Sequence, residues 1–474
     1  MNRRETLRIM GLSSASLLLQ GRTILKATPG NEIKATDFGN DFTWGTATAS
    51  YQIEGGWNLD GKGTSIWDTF TEKPGNIADG ADGKTACDFY HRYQKDIQIL
   101  KNLGFDSFRF SLSWPRIIPS GTGKINHKGL DFYKKVIDSC LENGIEPWIT
   151  LYHWDLPQAL EDKGGWTNRD IIHWFNEFSH VASRELGDRV KKWIILNEPL
   201  SFTAFGYMTG YHAPGRKGFR NFLPAVHHAA MCQAGSARVI RENVQNAYIG
   251  TTFSCSPVQA VSEAGHHQKA ARRIDALLNR LFIEPALGMG YPADDLPVLA
   301  KLEKYMLPGD EDMLKFDFDF IGLQHYFRVI AKFSVIPPVL WANQVKPEKR
   351  GVPVTSMGWE IYPEAIYQVI RQFSRYPLKD IYITENGAAF QDKLENGEVK
   401  DPGRTAYFNQ YLQQVLRAKN EGINLKGYFA WTFTDNFEWA EGYRQRFGLV
   451  YNDFNTQQRI VKDSGKWFAL FLKK

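Results

Sequence analysis

A repeated alternation between short apolar runs and longer segments of helical period constrains this chain more than any other feature of its sequence. Eight runs rich in β-branched and aromatic residues predict buried strands at residues 41–47, 105–110, 145–151, 191–196, 248–254, 318–324, 380–384 and 425–431. Segment 88–103 shows the helical pattern between strands, with apolar residues at spacings of four, four and three, at Phe89, Tyr93, Ile97 and Leu100. Eight such βα units predict an α/β fold, a single (β/α)8 TIM barrel over residues 36–474, with extended βα loops such as segment 325–360.

Composition and charge exclude several classes of protein. Of the 474 residues, 43% are hydrophobic and 23% are charged, which is typical of a soluble globular domain and excludes a disordered or membrane-embedded chain. The 57 Lys and Arg against 52 Asp and Glu give a net charge of +5, too dilute for the basic stripe of a nucleic-acid-binding protein, so no nucleic-acid partner is expected. The four cysteines form no CxxC pair, so neither a structural zinc nor a disulfide framework is expected.

The N-terminus has the layout of an export signal. Arg3, Arg4 and Leu7 begin a segment that continues with a mildly apolar stretch at residues 9–19, which resembles a bacterial twin-arginine signal. Eleven residues are too few to span a bilayer, which needs about 20, so no integral membrane span is expected. We predict a twin-arginine-type signal segment at residues 1–30 and export to the periplasm; the alternative is a frayed amphipathic start. The cleavage point is not predicted.

In a (β/α)8 barrel the active site lies at the carboxyl ends of the strands. Polar or aromatic residues close nearly every predicted strand or follow it directly, namely Arg109, His153, Asn197, Glu198, His325, Tyr326, Glu385, Asn386 and Trp431. Glu198 and Glu385 are the most informative pair, because they follow strands four and seven, which we expect to face each other across the barrel. Two carboxylates converging on the barrel mouth are what hydrolysis of a glycosidic bond requires, one as acid and one as nucleophile or base.

Each of these residues also has a purely structural interpretation. Glu198 precedes a proline and could merely cap the following helix, and the Glu-Asn-Gly string that begins at Glu385 could be a plain turn. Arg109 could be a structural ion-pair partner, but beside a carboxylate nucleophile it would also lower the pKa of that group. His153 alone could be a buried core histidine. The Trp-Asp pair that follows it favours a ligand-facing loop.

Six motifs, in order along the chain, resemble glycoside hydrolase family 1, the β-glucosidase family. The two glutamates lie in the motifs Leu-Asn-Glu-Pro at 196–199 and Ile-Thr-Glu-Asn-Gly at 383–387. The resemblance covers residues 36–474. Its other motifs are Phe-Thr-Trp-Gly-Thr-Ala-Thr-Ala-Ser-Tyr-Gln-Ile-Glu-Gly at 42–55, Phe-Arg-Phe-Ser-Leu-Ser-Trp-Pro-Arg at 108–116, Tyr-His-Trp-Asp-Leu-Pro at 152–157 and Trp-Thr-Phe-Thr-Asp-Asn-Phe-Glu-Trp at 431–439.

The resemblance implies a retaining exo-β-glycosidase, in particular a β-glucosidase. Such an enzyme removes terminal non-reducing β-D-glucosyl residues from oligosaccharides or from aryl and alkyl glucosides by double displacement. By resemblance, Glu198 is the acid/base and Glu385 is the nucleophile, supported by Arg109 and Tyr326. No metal or organic cofactor is implied, and the expected partner is a small β-glucoside or oligosaccharide. The residues implied to bind the sugar are Gln52, His153, Asn197, Glu438 and Trp439, with Trp431 as the stacking floor.

Substrate choice is partly predicted by Glu438. Its carboxylate can accept two hydrogen bonds from neighbouring sugar hydroxyls, whereas a 6-phosphate would meet a like charge there. We therefore expect unphosphorylated sugars, with glucose preferred, and with side activity on galactosides and fucosides. Transglycosylation uses the same catalytic residues. Trp341 and Tyr443 either shape the leaving-group site or pack in the interior.

Two positions depart from the family pattern. Gln324, one methylene longer than Asn, stands where the family usually has Asn, and Phe89 stands where many members have His. Neither change removes a catalytic group. A carbohydrate-binding pseudoenzyme would lack one of the two glutamates, and a metal-dependent barrel hydrolase would need a His/Asp cluster where only His153 and His325 lie at strand ends. The oligomeric state is not predicted.

Overall fold

Eight parallel strands form a closed barrel in the computed structural model, which describes residues 33–337 and 339–473. Neighbouring strands follow one another in chain order, and the last strand pairs with the first to close the barrel. Every strand predicted from the sequence is present, with ends that differ by two residues at most, so the predicted (β/α)8 fold is confirmed. The barrel strands are β1 (Thr43–Ala47), β2 (Ser107–Ser111), β3 (Glu146–Tyr152), β4 (Lys192–Asn197), β5 (Tyr248–Ser254), β6 (Phe320–His325), β7 (Asp380–Asn386) and β8 (Leu425–Trp431).

A long helix follows each barrel strand. The helix Glu364–Phe373 illustrates why these segments pack on the barrel, because its buried apolar residues recur on one face, at Ala365, Ile366, Val369, Ile370 and Phe373. Among the described residues, the α-helices of nine residues or more are Phe89–Asn102, His127–Glu142, Ile171–Leu186, Phe219–Asn243, Gly265–Asp275, Glu364–Phe373, Pro402–Asn420 and Asp463–Phe471. The predicted helix at 88–103 is the first of them.

Shorter elements occupy the connections. The short α-helices are Ser50–Ile53, Ile66–Thr71, Trp114–Ile117, Gln158–Glu161, Pro199–Thr203, Ile283–Ala286 and Asp310–Leu314. Segments of 3-10 or π-helix lie at Ala35–Phe38, Gly165–Thr167, Ala204–Thr209, Ala276–Arg280, Pro297–Tyr305, Pro347–Arg350 and Trp439–Glu441. Two small hairpins pair Leu394–Glu395 with Glu398–Val399 and Val450–Asn452 with Arg459–Val461.

The predicted long loop at 325–360 is more ordered than the sequence indicates. Its strands Val329–Phe333 and Ala342–Gln344 form a three-stranded sheet with Val258–Ala260, which belongs to the loop after β5. The two loops therefore support each other above the barrel.

Aromatic side chains fill the lower part of the barrel. The ring of Trp148 in β3 contacts the rings of Phe320, Tyr382 and Phe429 from β6, β7 and β8 at centroid distances of 5.0 to 5.3 Å. Strands that are not neighbours can meet in this way only through the interior. Gly45 makes room for this cluster, because a Cβ atom there would lie 2.3 Å from the Phe429 ring. A packed lower half leaves the upper end of the barrel for chemistry.

The strands that carry the two glutamates are not diametrically opposite. β5 and β6 separate β4 from β7 on one side, so β7 lies three positions around the eight-stranded barrel rather than four. The expectation that β4 and β7 face each other directly is therefore wrong by one strand position.

The predicted signal segment at residues 1–30 lies outside the described residues, so the export prediction stays a prediction. Within residues 33–337 and 339–473, no helix combines the length and the apolar character that crossing a bilayer requires.

Candidate active site

A cleft opens at the carboxyl ends of the barrel strands and brings most of the predicted site residues together. Its volume is about 930 Å³ when the space at its open mouth is counted. Eight of the ten predicted site residues line this cleft: His153, Asn197, Glu198, Tyr326, Glu385, Trp431, Glu438 and Trp439. Arg109 and Gln52 are buried and do not line it, so they act through neighbouring side chains.

Glu385 lies near the end of β7 and has hydrogen-bond donors at both carboxylate oxygens. Arg109 Nη1 lies 2.5 Å and Gln324 Nε2 lies 2.8 Å from its Oε1, while Tyr326 Oη donates to its Oε2 at 2.7 Å. Burial raises the pKa of Glu385, and the positive charge of Arg109 and the hydrogen bond from Tyr326 oppose that rise. These donors favour the ionised carboxylate.

The Asn-Gly pair after Glu385 is not a plain turn. Asn386 Nδ2 donates to the carbonyl oxygen of His325 at 2.6 Å, which ties the end of β7 to β6. A Cβ atom on Gly387 would lie 1.9 Å from the carbonyl oxygen of Trp431, so only glycine allows β7 and β8 to approach this closely. The pair therefore fixes Glu385 between two neighbouring strands.

Glu198 follows β4 directly and precedes the helix Pro199–Thr203. Its backbone is left-handed, with φ 45° and ψ 67°, and its side chain makes no capping hydrogen bond to that helix. Ser201 Oγ donates to Glu198 Oε2 at 2.9 Å instead. Burial and the negative charge of Glu385 raise the pKa of Glu198 to about 8, so at neutral pH its carboxyl group holds a proton. The helix-cap interpretation is therefore wrong.

A hydrogen-bond chain fixes the orientation of Asn197 and His153. A guanidinium can only donate, so the Asn197 Oδ1 that Arg109 contacts must be the amide oxygen. The Asn197 amide nitrogen then faces His153 Nε2 at 2.9 Å, and that ring nitrogen must accept. Burial and the charge of Arg109 lower the pKa of His153 well below its usual value, so the ring is neutral and its proton lies on Nδ1. Nδ1 has no hydrogen-bond partner within the described part of the chain.

Glu438 and the tryptophans form the opposite end of the cleft. Gln52 Nε2 donates to the Phe437 carbonyl oxygen at 2.9 Å and lies 3.5 Å from Glu438 Oε2. Burial and the charge of Glu385 raise the pKa of Glu438 to about 8. The rings of Trp431 and Trp439 lie within 26° of parallel to the His153 ring. This end offers polar groups beside flat aromatic faces, the combination that sugar rings favour.

The wall around Glu198 consists of residues that the sequence did not single out. The end of β5 and the loops after β4, β5 and β6 contribute it, and its members are Leu200, Ser201, Phe205, Ser254, Ser256, Leu278, Phe327, Met357 and Trp359. Ser254 is a polar residue that closes β5, so the rule that found Glu198 could also have found it. Trp341 and Tyr443 do not line the cleft. Trp341 is half exposed beside Arg273, and Tyr443 Oη donates to the Asp82 carbonyl oxygen at 2.8 Å.

In residues 33–337 and 339–473, no three His, Cys, Asp or Glu side chains converge as metal ligands. The four cysteines are free and buried, at Cys87, Cys140, Cys232 and Cys255.

A closed parallel barrel with two buried glutamates at the ends of β4 and β7, beside polar groups and flat aromatic faces, defines a glycoside hydrolase of the (β/α)8 class. Residues 34–474 match the model of glycosyl hydrolase family 1, and the chain belongs to that family. The fold, the family and the enzyme class predicted from the sequence are thereby confirmed.

Characterised relatives cover nearly the whole chain. A 1,4-beta-D-glucan glucohydrolase of Thermotoga neapolitana is 46% identical over 442 residues, which are 92% of this chain and 98% of the relative. Beta-glucosidase A of Thermotoga maritima is 45% identical over 439 residues, with coverage of 92% and 98%. Among solved structures, the family 1 β-glucosidase from Thermotoga maritima superposes with a TM-score of 0.88 at 44% identity, covering 94% of this chain and 98% of that structure.

Proposed function

We propose that this protein is a retaining β-glucosidase that removes terminal non-reducing β-D-glucosyl residues, with Glu385 as nucleophile and Glu198 as acid/base. The observation that carries the assignment is the contrast between the two glutamates. Glu385 lies against a guanidinium, whereas Glu198 has a pKa of about 8 and keeps its proton at neutral pH. Two carboxyl groups whose surroundings set opposite protonation states are what a double displacement requires.

In the first step, a Glu385 carboxylate oxygen attacks the anomeric carbon as the bond to the leaving oxygen breaks. Glu198 gives its proton to that oxygen, so the aglycone leaves as a neutral alcohol. The product is a glycosyl ester on Glu385, and Glu198 is now a carboxylate. Esterification removes the negative charge that raised the pKa of Glu198, so Glu198 becomes able to act in the second step as a base.

In the second step, Glu198 takes a proton from water, and the water oxygen attacks the anomeric carbon from the face that the aglycone left. The ester bond breaks, Glu385 returns to a carboxylate and Glu198 returns to a carboxylic acid. Two inversions retain the β configuration. An alcohol in place of water gives transglycosylation with the same residues.

The sugar would bind at the end of the cleft formed by Glu438 and the tryptophans. Asn197 directly precedes Glu198, and its amide nitrogen, which faces His153, would donate to the 2-hydroxyl of the glycone. His153 Nδ1–H and the Glu438 carboxyl group would contact hydroxyls further round the ring. Trp431 would supply the face on which the ring stacks.

The aglycone would lie against the wall around Glu198, because the proton donor must reach the leaving oxygen. That wall is mostly apolar, and its polar members are three serines, Ser201, Ser254 and Ser256, rather than charged side chains. This composition favours aryl and alkyl aglycones over long oligosaccharides.

The test is hydrolysis of 4-nitrophenyl β-D-glucoside, β-D-galactoside, β-D-fucoside and β-D-glucoside 6-phosphate by the wild-type protein and by Glu385→Gln. We expect the glucoside to be turned over fastest among the unphosphorylated substrates, the 6-phosphate to be rejected, and activity to fall by about 10⁴-fold or more in the variant. NMR of the first-formed sugar should show the β anomer. An α anomer, or a Glu385→Gln variant with wild-type rates, would overturn the proposal.

A further inference from the structure

Gln324 occupies the position between the two catalytic strands. It lies in β6, where its Cα is paired with that of Glu385 in β7 and that of Ser254 in β5. Its side chain is fully buried inside the barrel and does not line the cleft. A residue at this position cannot touch the substrate directly, but it can touch the groups that do.

The amide nitrogen of Gln324 reaches both sides of the site. Nε2 lies 2.8 Å from Glu385 Oε1 and 2.7 Å from Asn197 Oδ1, and it lies 3.2 Å from Thr252 Oγ1. Both short contacts are to acceptors, so the amide orientation is fixed with its nitrogen toward them. An amide has two N–H groups, and they account for the two short bonds. Arg109 donates to the same two oxygens.

The reach of this side chain depends on its length. Asparagine, the usual residue at this position in the family, is one methylene shorter, which withdraws the amide by about 1.5 Å. The two distances that are 2.7 and 2.8 Å with glutamine would then lengthen beyond hydrogen-bond distance with asparagine, unless the strand moved. On the backbone of this barrel, a glutamine at position 324 is long enough to join β7 to β4 through its amide group, and an asparagine is not.

We propose that Gln324 is a positioning residue that links Glu385 to Asn197, so that the nucleophile and the group facing the 2-hydroxyl of the sugar keep one fixed geometry. This inference rests on the proposed function, because it takes Glu385 as the nucleophile. Gln324 adds a second donor to each of the two oxygens that Arg109 already contacts, and it approaches them from β6, whereas Arg109 approaches them from β2. The position of the nucleophile strongly affects the rate, because a small displacement from the geometry of attack lowers the rate strongly.

The test compares Gln324→Asn and Gln324→Leu with the wild-type protein on 4-nitrophenyl β-D-glucoside. Gln324→Asn keeps the amide and loses the reach, and Gln324→Leu loses the donors. We expect both to lower kcat/KM by about 10- to 100-fold, mainly through kcat, because a hydrogen bond to a charged group is of this strength. We also expect the acidic limb of the pH profile of kcat/KM to move to higher pH, since a lost donor disfavours the charged form of Glu385.

Gln233→Asn is the matched control. Gln233 is also fully buried, and its Oε1 accepts from Thr251 Oγ1 at 3.0 Å, away from the cleft lining. The control should leave the pH profile and kcat unchanged, whatever it does to stability. If Gln324→Leu fails to fold, Gln324→Asn decides the question, because it conserves the polar group.

The outcomes separate this inference from the proposed function. Wild-type kcat and an unmoved acidic limb in Gln324→Asn would overturn the linking role, even where Gln324→Leu is impaired. Wild-type activity in Glu385→Gln would overturn the proposed function, and this inference with it. Loss of activity in Glu385→Gln together with unaltered Gln324 variants would overturn this inference alone.

Discussion

Arg109 Nη1 lies 2.5 Å from Glu385 Oε1, and both side chains are buried, with Glu385 in the lining of the cleft and Arg109 outside that lining. Glu198, the other carboxyl group of the pair, is contacted instead by the neutral hydroxyl of Ser201. A buried carboxylate beside a cation stays charged, whereas a buried carboxyl group beside a hydroxyl and a like charge keeps its proton. The neighbours of each glutamate therefore favour the protonation state that its proposed role requires, a carboxylic acid at Glu198 and a carboxylate at Glu385.

The loss of activity on removing the proposed acid, Glu198, should depend on the leaving group of the substrate. In Glu198→Ala we expect kcat/KM for cellobiose or an alkyl glucoside to fall by about 10²- to 10⁴-fold, because the leaving oxygen no longer receives a proton. With 2,4-dinitrophenyl β-D-glucoside, whose leaving group needs no proton, formation of the glycosyl ester should be nearly unimpaired. Added azide should raise kcat and give β-glucosyl azide. The exposed Glu395→Ala is the control, and an equal loss with both leaving groups would argue against the acid role.

The hydroxyl of Ser201 should influence the pH at which kcat/KM falls on the basic side of its pH profile. Its hydrogen bond to Glu198 favours the charged form and lowers the pKa of Glu198 from the value that burial and Glu385 would give. Ser201→Ala should therefore raise that pKa further above 8. Because kcat/KM requires protonated Glu198, activity should persist to a pH about 0.5 to 1 unit higher than in the wild type.

The control for this shift is Ser179→Ala, since Ser179 Oγ donates to the Phe175 carbonyl oxygen within a helix at 2.7 Å. Profiles of kcat/KM against pH for the three proteins give the comparison. An unmoved basic limb in Ser201→Ala, or a limb moved to lower pH, would contradict the assignment of that limb to Glu198.

The barrel and the catalytic pair could be predicted from the sequence, because buried parallel strands appear as continuous apolar runs and a charged residue interrupts such a run visibly. β5 and β8 have the predicted bounds, and Glu198 and Glu385 lie where the strand-end rule places them. Leu278 and Met357 could not be found in this way, because they lie in the long loops after β5 and β6 rather than at strand ends, Leu278 within the π-helical segment Ala276–Arg280 and Met357 in a turn. What brings them to the cleft is the path of those loops, which depends on tertiary contacts.

Glu438 should make stability depend on pH. An unfolded glutamate ionises near its ordinary pKa of 4.5, whereas burial and neighbouring charges raise the folded value to about 8. Between these values the native state binds more protons, so the free energy of unfolding falls as the pH rises from 4.5 to about 8. Glu438→Gln lacks this loss of stability. The Tm of the variant minus the Tm of the wild type should therefore be larger at alkaline than at acidic pH, by about 2 °C or more.

The same substitution should reduce activity. Loss of the carboxylate from the sugar-binding end should lower kcat/KM for the glucoside by about 10- to 100-fold. Calorimetry at both pH values and initial rates give the two quantities. Glu395→Gln, an exposed control, should show neither effect. A Tm difference independent of pH would indicate that Glu438 ionises normally in the folded protein.

Gly387 should be intolerant of any side chain, because a Cβ atom there would lie 1.9 Å from the carbonyl oxygen of Trp431. Gly387→Ala must push the end of β7 away from β8, which displaces Glu385 and the Trp431 floor together. We expect the free energy of unfolding to fall by about 1 to 3 kcal/mol, as in other overpacked cores, and kcat/KM to fall even for the folded fraction. Gly265→Ala is the control, since a Cβ atom at this helix start meets nothing within 4 Å. Denaturation curves give the loss of stability, and active-site titration gives the loss of activity per folded molecule. A Gly387→Ala variant that loses stability and keeps its activity per folded molecule would mean that the approach of β7 to β8 does not place the nucleophile.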